Sequence, residues 1–192
     1  HKEYRRQRQM CIRDRLYLEG KKSHNSLIVF KKFSSKNKNQ MSDSHSIWMK
    51  QALLEAQKAY RIDEIPVGAI VVSDGKIIGK GYNQREQLND PTAHAEIIAL
   101  SAAANTIDDW RLNNCIIYVT KEPCAMCAGA IINSRIKMVV FGCYDKEMGC
   151  CGSLYQFCGD SHLKNSTAVK GGILEKECLS IIHDFFQIQR NH

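Results

Sequence analysis

The stretch CIIYVT (Cys115–Thr120), KEPCAMCAGAIINS (Lys121–Ser134) and KMVVFG (Lys137–Gly142) decides the fold. Its first segment is apolar and β-branched, the composition of a buried strand. Pro123 then opens a run of small and apolar residues that suits a helix to about Ser134. The third segment returns to strand composition. Strand, helix of about twelve residues, strand makes a right-handed βαβ unit whose two strands are parallel.

The flanking sequence extends this unit. Val67–Val72 and Ile77–Tyr82 are short apolar runs on either side of Asp74-Gly75, a strong hairpin signal. Pro91 stands near the start of an Ala-rich helix expected over about Thr92–Asn105. Ser46 is placed to cap a helix whose apolar positions Met49, Ala52, Leu53, Ala56 and Tyr60 keep an i, i+3, i+4 rhythm, and Pro66 ends that pattern. A last helix, about Glu175–Arg190, is expected to bury Cys178, Ile181, Ile182 and Phe185. No internal repeat is visible. The expectation is one α/β domain, in which a mixed sheet starts as a hairpin, continues in parallel and carries helices on both faces.

Composition limits what such a domain could do. The 192 residues suffice for one ordinary domain, and no stretch of 18 uninterrupted apolar residues offers a membrane-spanning helix. The net charge of +7 suggests nucleic acid, but residues 1–40 hold 12 of the 27 basic residues and only 3 of the 20 acidic ones, so residues 41–192 carry −2. Global charge is therefore no argument for what residues 41–192 bind. The first forty residues lack helix or strand periodicity, and their Lys/Arg/Ser/Asn composition also resembles an organellar transit peptide. Arg6–Arg15 resembles translated sequencing-adapter DNA, and Met41 opens a segment that behaves like an ordinary N-terminus. Residues 1–40 are accordingly read as a disordered extension, in part a translation artefact, and 41–192 as the functional domain. Nine cysteines, an odd number without a secretory signal, fit a reducing cytoplasmic setting with a metal site better than a disulfide scaffold.

Two expected helix starts carry the chemistry: Pro91-Thr92-Ala93-His94-Ala95-Glu96 and Glu122-Pro123-Cys124-Ala125-Met126-Cys127. Cysteines at i and i+3 share one helix face, and a helix N-terminus favours the thiolate that ligates. With the His94 nitrogen they form a Cys₂His set, which leaves one tetrahedral position of a zinc ion for water. Such a water ionises near neutral pH and attacks an electrophilic carbon. Glu96, two residues from His94, is badly spaced for joint chelation and well placed to move protons beside the metal. Taken singly, Cys-x-x-Cys also reads as a redox pair or as core, and His-x-Glu alone says little. Cys115 and Cys178 read as core, and His162 and His183 as surface or ordinary packed residues. Cys143, Cys150, Cys151 and Cys158 are not expected to supply a fourth ligand, which would close the catalytic position.

The conjunction matches the H-x-E…P-C-x-x-C signature of zinc nucleobase deaminases. Longer strings narrow it: Ile65-Pro66-Val67-Gly68-Ala69, Asn89–Glu96, Glu122–Ile131, Asn133-Ser134-Arg135-Ile136 and Gly152-Ser153-Leu154 resemble the bacterial tRNA-specific adenosine deaminases of TadA type. The resemblance spans about Ser46–Arg190. It implies a three-layer α/β/α cytidine-deaminase-like sandwich, a homodimer, and conversion of adenosine to inosine at the wobble position of a tRNA anticodon stem-loop. It implies one zinc per subunit on His94, Cys124 and Cys127, with Glu96 as the proton shuttle. It also implies substrate contacts from Asn83, Ala95, Asp145 and Phe186. The lesser alternative for Asn83 is a turn residue ending a strand, whereas Asp145 reads equally as a solvated loop acid. Periodicity favours Phe185 as the buried member of the Phe185-Phe186 pair. Lys121 stands where the family usually has an apolar residue, and Gln84–Gln87 and Lys164-Asn165-Ser166 also depart from its pattern. Two other readings stand beside this one: a deaminase of free guanine- or cytosine-type bases or nucleosides, and a non-catalytic zinc-stabilised RNA-binding module.

Overall fold

The computed structural model describes residues 37–163 and 165–190, the first seven as backbone only. The elements in chain order are α1 (Asn37–Arg61), β1 (Gly68–Ser73), β2 (Lys76–Tyr82), α2 (Arg85–Leu88), α3 (Ala95–Ile107), β3 (Ile116–Lys121), α4 (Ala125–Asn133), β4 (Met138–Cys143), β5 (Ala168–Lys170) and α5 (Glu175–Arg190). The sheet order is β2-β1-β3-β4-β5. β1 is antiparallel to both β2 and β3, whereas β3, β4 and β5 run parallel. The expected mixed sheet and parallel βαβ unit are both present.

Alternation along the strands divides the core into two layers. Ala69, Val71, Ile117, Val119, Val139 and Phe141 face α3 and α4. Ile70, Val72, Tyr118 and Val140 face Met49 and Ala52 of α1 and Cys178 of α5. Helices thus cover both faces, giving the three-layer sandwich. The hairpin turns through Asp74 and Gly75, both at positive φ (48° and 71°), as a two-residue turn matched to strand twist requires. Val71 pairs with Gly79 and Val72 with Ile77, so Ile78 bulges and the faces of β2 switch there. Gly79 and Gly81 consequently lie under α3. A Cβ at Gly81 would come within 2.2 Å of the Ala95 carbonyl oxygen, and one at Gly79 within 2.3 Å of that of Ala99. Their bare backbones let α3 press against the sheet and fix where it begins.

Several boundaries differ from expectation. α1 begins at Asn37 rather than at Ser46, so residues 37–40 belong to a helix; residues 1–36 of the expected extension lie outside the described residues. α3 begins at Ala95 rather than Thr92, because Asp90 Oδ1 accepts hydrogen bonds from Thr92 N (2.8 Å) and Thr92 Oγ1 (2.7 Å) and holds a turn there. Ile181 and Ile182 are only half-buried; Cys178 and Phe185 are the buried residues of α5. The three-residue edge strand β5 was not expected, being too short for a periodic signal.

Candidate active site

The N-termini of α3 and α4 meet at the end of β3. His94 is the N-cap of α3 with extended backbone (φ −75°, ψ 153°), and Cys124 is the N-cap of α4 (φ −73°, ψ 176°). Both residues therefore stand just outside their helices, where expectation put them inside. Cys127 is buried in the first turn of α4. His94 Nδ1 lies 3.6 Å from Cys127 Sγ and 3.8 Å from Cys124 Sγ. The three donor atoms all lie within 4.8 Å of one another. An ion at about 2.0–2.1 Å from nitrogen and about 2.3 Å from sulfur in a tetrahedron separates those donors by about 3.5–3.8 Å. The donor set fits a metal site in both spacing and chemistry. It is the one such cluster among the described residues, and the other described cysteines contribute nothing to it.

The cluster holds its protons unevenly. The Cys124 thiol is lowered to about 4, first by its hydrogen bond with Cys127 and then by His94, against the opposing cost of burial. Cys127 is shifted upward by the same hydrogen bond and by burial, so the proton of the pair resides there. His94 is raised by its hydrogen bond with Cys124. Glu96, in the first turn of α3, is only 4% exposed. Burial pushes its carboxyl up to about 6, with the charge of Cys124 adding to the shift.

A cleft of about 150 Å³ opens over this cluster. Asn83, His94, Ala95, Glu96, Cys124 and Asp145 line it, with Ile65 and Val67 as an apolar wall and Arg85, Lys121 and Met148 contributing further lining. Lys121 Nζ lies 2.7 Å from Asp145 Oδ2. Burial alone would raise the Asp145 carboxyl, but the hydrogen bonds from Lys121 and from the Glu147 and Met148 amides outweigh it and hold it below its ordinary value. Phe186 is the expected site residue that stands apart: it is 42% exposed on α5, edge-on to Phe185, and does not line the cleft. A larger open groove of about 760 Å³ between α1 and α5 contains none of the expected ligands.

Two buried carboxylates escaped the sequence reading. Glu122 accepts hydrogen bonds from the amides of Asp145 (3.0 Å), Cys151 (3.0 Å) and Ser153 (2.9 Å), and also from Ser153 Oγ. It thereby ties the loop after β4 to the Pro123-Cys124 turn. Glu64 accepts from Asn83 Nδ2 (2.9 Å) and from the Gln87 amide (2.7 Å). Glu122 lay inside a recognised motif, yet no spacing rule links either acid to its partners.

A mixed sheet with His-x-Glu and Cys-x-x-Cys at two adjoining helix starts defines a deaminase-type domain, and residues 43–190 match the family model described as MafB19-like deaminase. The chain belongs, within that class, to the family of tRNA-specific adenosine deaminases. It is 48% identical over 143 residues to the tRNA-specific adenosine deaminase of Haemophilus influenzae, covering 74% of this chain and 83% of the relative. It is 40% identical over 141 residues to that of Bacillus subtilis, covering 73% and 88%. Among solved structures, one from a study of tRNA:A34 deaminases and A-to-I editing at the wobble position of transfer RNA superposes with a TM-score of 0.68 at 38% identity, over 71% of this chain and 99% of that one. A guanine deaminase from Nitrosomonas europaea shares the fold (TM-score 0.66, 20% identity, 85% and 98% covered).

Proposed function

We propose that this protein hydrolytically deaminates adenosine to inosine at the wobble position of a tRNA anticodon stem-loop. The observation that carries the reading is the buried Glu96 carboxylate in the same small cleft as a His/Cys/Cys donor set of tetrahedral spacing. His94, Cys124 and Cys127 would hold one zinc per subunit; when bound, it supplies an activated water at neutral pH. Glu96, its carboxyl raised to about 6, would accept a proton from the attacking water and deliver it to the departing amine. Ala95 and the apolar wall of Ile65 and Val67 would enclose the base, and Asn83 and Asp145 in the same lining would offer it polar contacts. Phe186, exposed on α5, would contact RNA outside the cleft.

The catalytic domain is assigned to residues 41–192, with residues 1–40 dispensable for chemistry. A homodimer is supported by the outer face of α3 and α4. Ile97, Leu100, Ala104 and Ala130 line a groove there beside Trp110, which is 52% exposed. Eight free thiols among the described cysteines suit a reducing, cytoplasmic setting, and no described helix is long and apolar enough to cross a membrane.

The alternative of a free-base deaminase draws on the fold shared with the guanine deaminase, at 20% identity, and on the slightly acidic balance of residues 41–192. A non-catalytic zinc module has no use for a carboxylate buried in the cleft outside the ligand set. The deciding experiment compares inosine formation on an anticodon stem-loop carrying the wobble adenosine with product formation from free adenosine, guanine and cytosine, alongside zinc analysis. The stem-loop should exceed the free compounds in kcat/KM by orders of magnitude; equal or reversed rates would replace this reading by the small-molecule one.

A further inference from the structure

Glu64 sits just beyond α1, where the chain turns back through Asp63 at positive φ (62°) and Glu64 N donates to the Ala59 carbonyl (3.0 Å). The turn drives a carboxylate inward until it is 1% exposed. Such a group must find donors, and both its oxygens do: Oε2 accepts from Asn83 Nδ2 and Oε1 from the amide of Gln87. Asn83 is itself 8% exposed, and its backbone N–H donates to the Val67 carbonyl (3.0 Å), which fixes the base of the side chain.

The chemistry of the pair is asymmetric. A carboxamide has a donor end and an acceptor end of nearly the same shape, whereas a carboxylate only accepts. Facing Glu64, the amide nitrogen of Asn83 donates one of its two hydrogens to the carboxylate, which turns the oxygen away from Glu64, and Asn83 lines the cleft that holds His94 and Glu96. A neutral amide at position 64 would match either orientation and let Asn83 flip.

We propose that Glu64 is a positioning residue: it locks the Asn83 carboxamide with Oδ1 toward the cleft, so that the site selects a base whose reacting edge donates a hydrogen bond. The exocyclic amine of adenine is such a donor. This rests on the reading that a purine base occupies the cleft.

The test uses two stem-loop RNAs with adenosine or 6-chloropurine riboside at the target position. Both yield inosine, with loss of ammonia or chloride, but only the first presents an N–H donor at C6. In the parent, kcat/KM for each defines a selectivity ratio. Glu64→Gln should lower that ratio about tenfold, the worth of one oriented hydrogen bond. Asn83→Ala should lower it at least as far, and Glu64→Gln added to Asn83→Ala should change it no further. Glu64→Asp, which keeps the acceptor, should hold the ratio within about twofold of the parent even where rate or thermal stability falls. A purely structural role would slow both substrates alike; an unchanged ratio in Glu64→Gln, a collapsed one in Glu64→Asp, or additive effects in the double variant would each overturn the proposal. If the parent acts only on free nucleosides, the RNA reading fails, and the same ratios measured on the free nucleosides decide the role of Glu64 separately.

Discussion

Glu96 and Cys124 lie in one cleft but are shifted in opposite directions, and the difference decides what each substitution does. Burial lifts Glu96 to about 6, so it gains and loses a proton easily near neutrality; Cys124, lowered to about 4, stays a thiolate. Glu96→Gln keeps shape and removes the exchangeable proton. It should lower the single-turnover rate of inosine formation about 10²–10⁴-fold while leaving metal content and melting temperature near the parent values. Cys124→Ala removes a ligand instead, and elemental analysis should find the ion lost together with thermal stability; a full complement of metal would transfer its role to another cysteine. The cluster of His94, Cys124 and Cys127, with Glu96 in the same cleft, was legible in the sequence because ligation and proton transfer demand particular residue types at particular spacings. Glu64 and Glu122 were not, since each acts on groups 19 to 31 residues away and a single acid reads as surface until the fold surrounds it.

Among the elements, the loop after β4 and the helix α1 each have a buried polar anchor. Glu122→Ala would strip partners from the amides of Asp145, Cys151 and Ser153. With about 1–3 kcal/mol for each orphaned donor, reduced by relaxation and water entry, denaturant unfolding should record a loss of about 3 kcal/mol. The loop carrying Asp145 should loosen, with KM rising more than kcat falls. α1 docks through His45, whose Nδ1 lies 3.0 Å from the Tyr118 hydroxyl. Burial, aided by the charge of Lys170, holds the His45 pKa below its ordinary 6.5. The unfolded chain therefore takes up this proton before the folded one does, so the contribution is intact above pH 6.5 and stability declines as pH falls below it. Because Glu96 and His94 are shifted the other way, the check is the difference between parent and His45→Gln, which keeps an acceptor for Tyr118: the parent's unfolding midpoint should fall relative to the variant's from pH 7.5 through 6.5 to 5.5. Neither contact was visible in the sequence. Strands β1 to β4 and the hairpin were, because short apolar, β-branched runs and Asp-Gly act locally. The starts of α1 and α3 were misplaced because an Asx turn at Asp90 competes with the helix that Pro91 announces, and because the polar residues before Ser46 carry no apolar rhythm.

On the scale of the whole molecule, the sandwich places its chemistry where the parallel strands end and two helices begin, the usual ligand position in open α/β sheets. The site is narrow: about 150 Å³, with Glu96 almost wholly shielded beside it. That space suits one base and excludes a base pair, so the target must leave its stack before it can react. The cost of extrusion then separates substrates with identical target nucleosides. For an unpaired loop base it is small; for the same adenosine closed into a duplex it is about 3 kcal/mol more, which corresponds to roughly a hundredfold in rate. Lys121 and Arg85 are the cations lining the cleft, and Lys121 is already paired with Asp145, so phosphate attraction at the cleft itself offsets little of that cost. Two hairpins of one composition, with the adenosine in the loop or paired in the stem, should therefore differ about a hundredfold in kcat/KM at equal salt. Raising the temperature toward the stem's melting point should close the gap. A paired adenosine converted as fast as the unpaired one well below that melting point would mean that the cleft opens far wider than its walls allow, and that the protein reads the duplex instead of the extruded base.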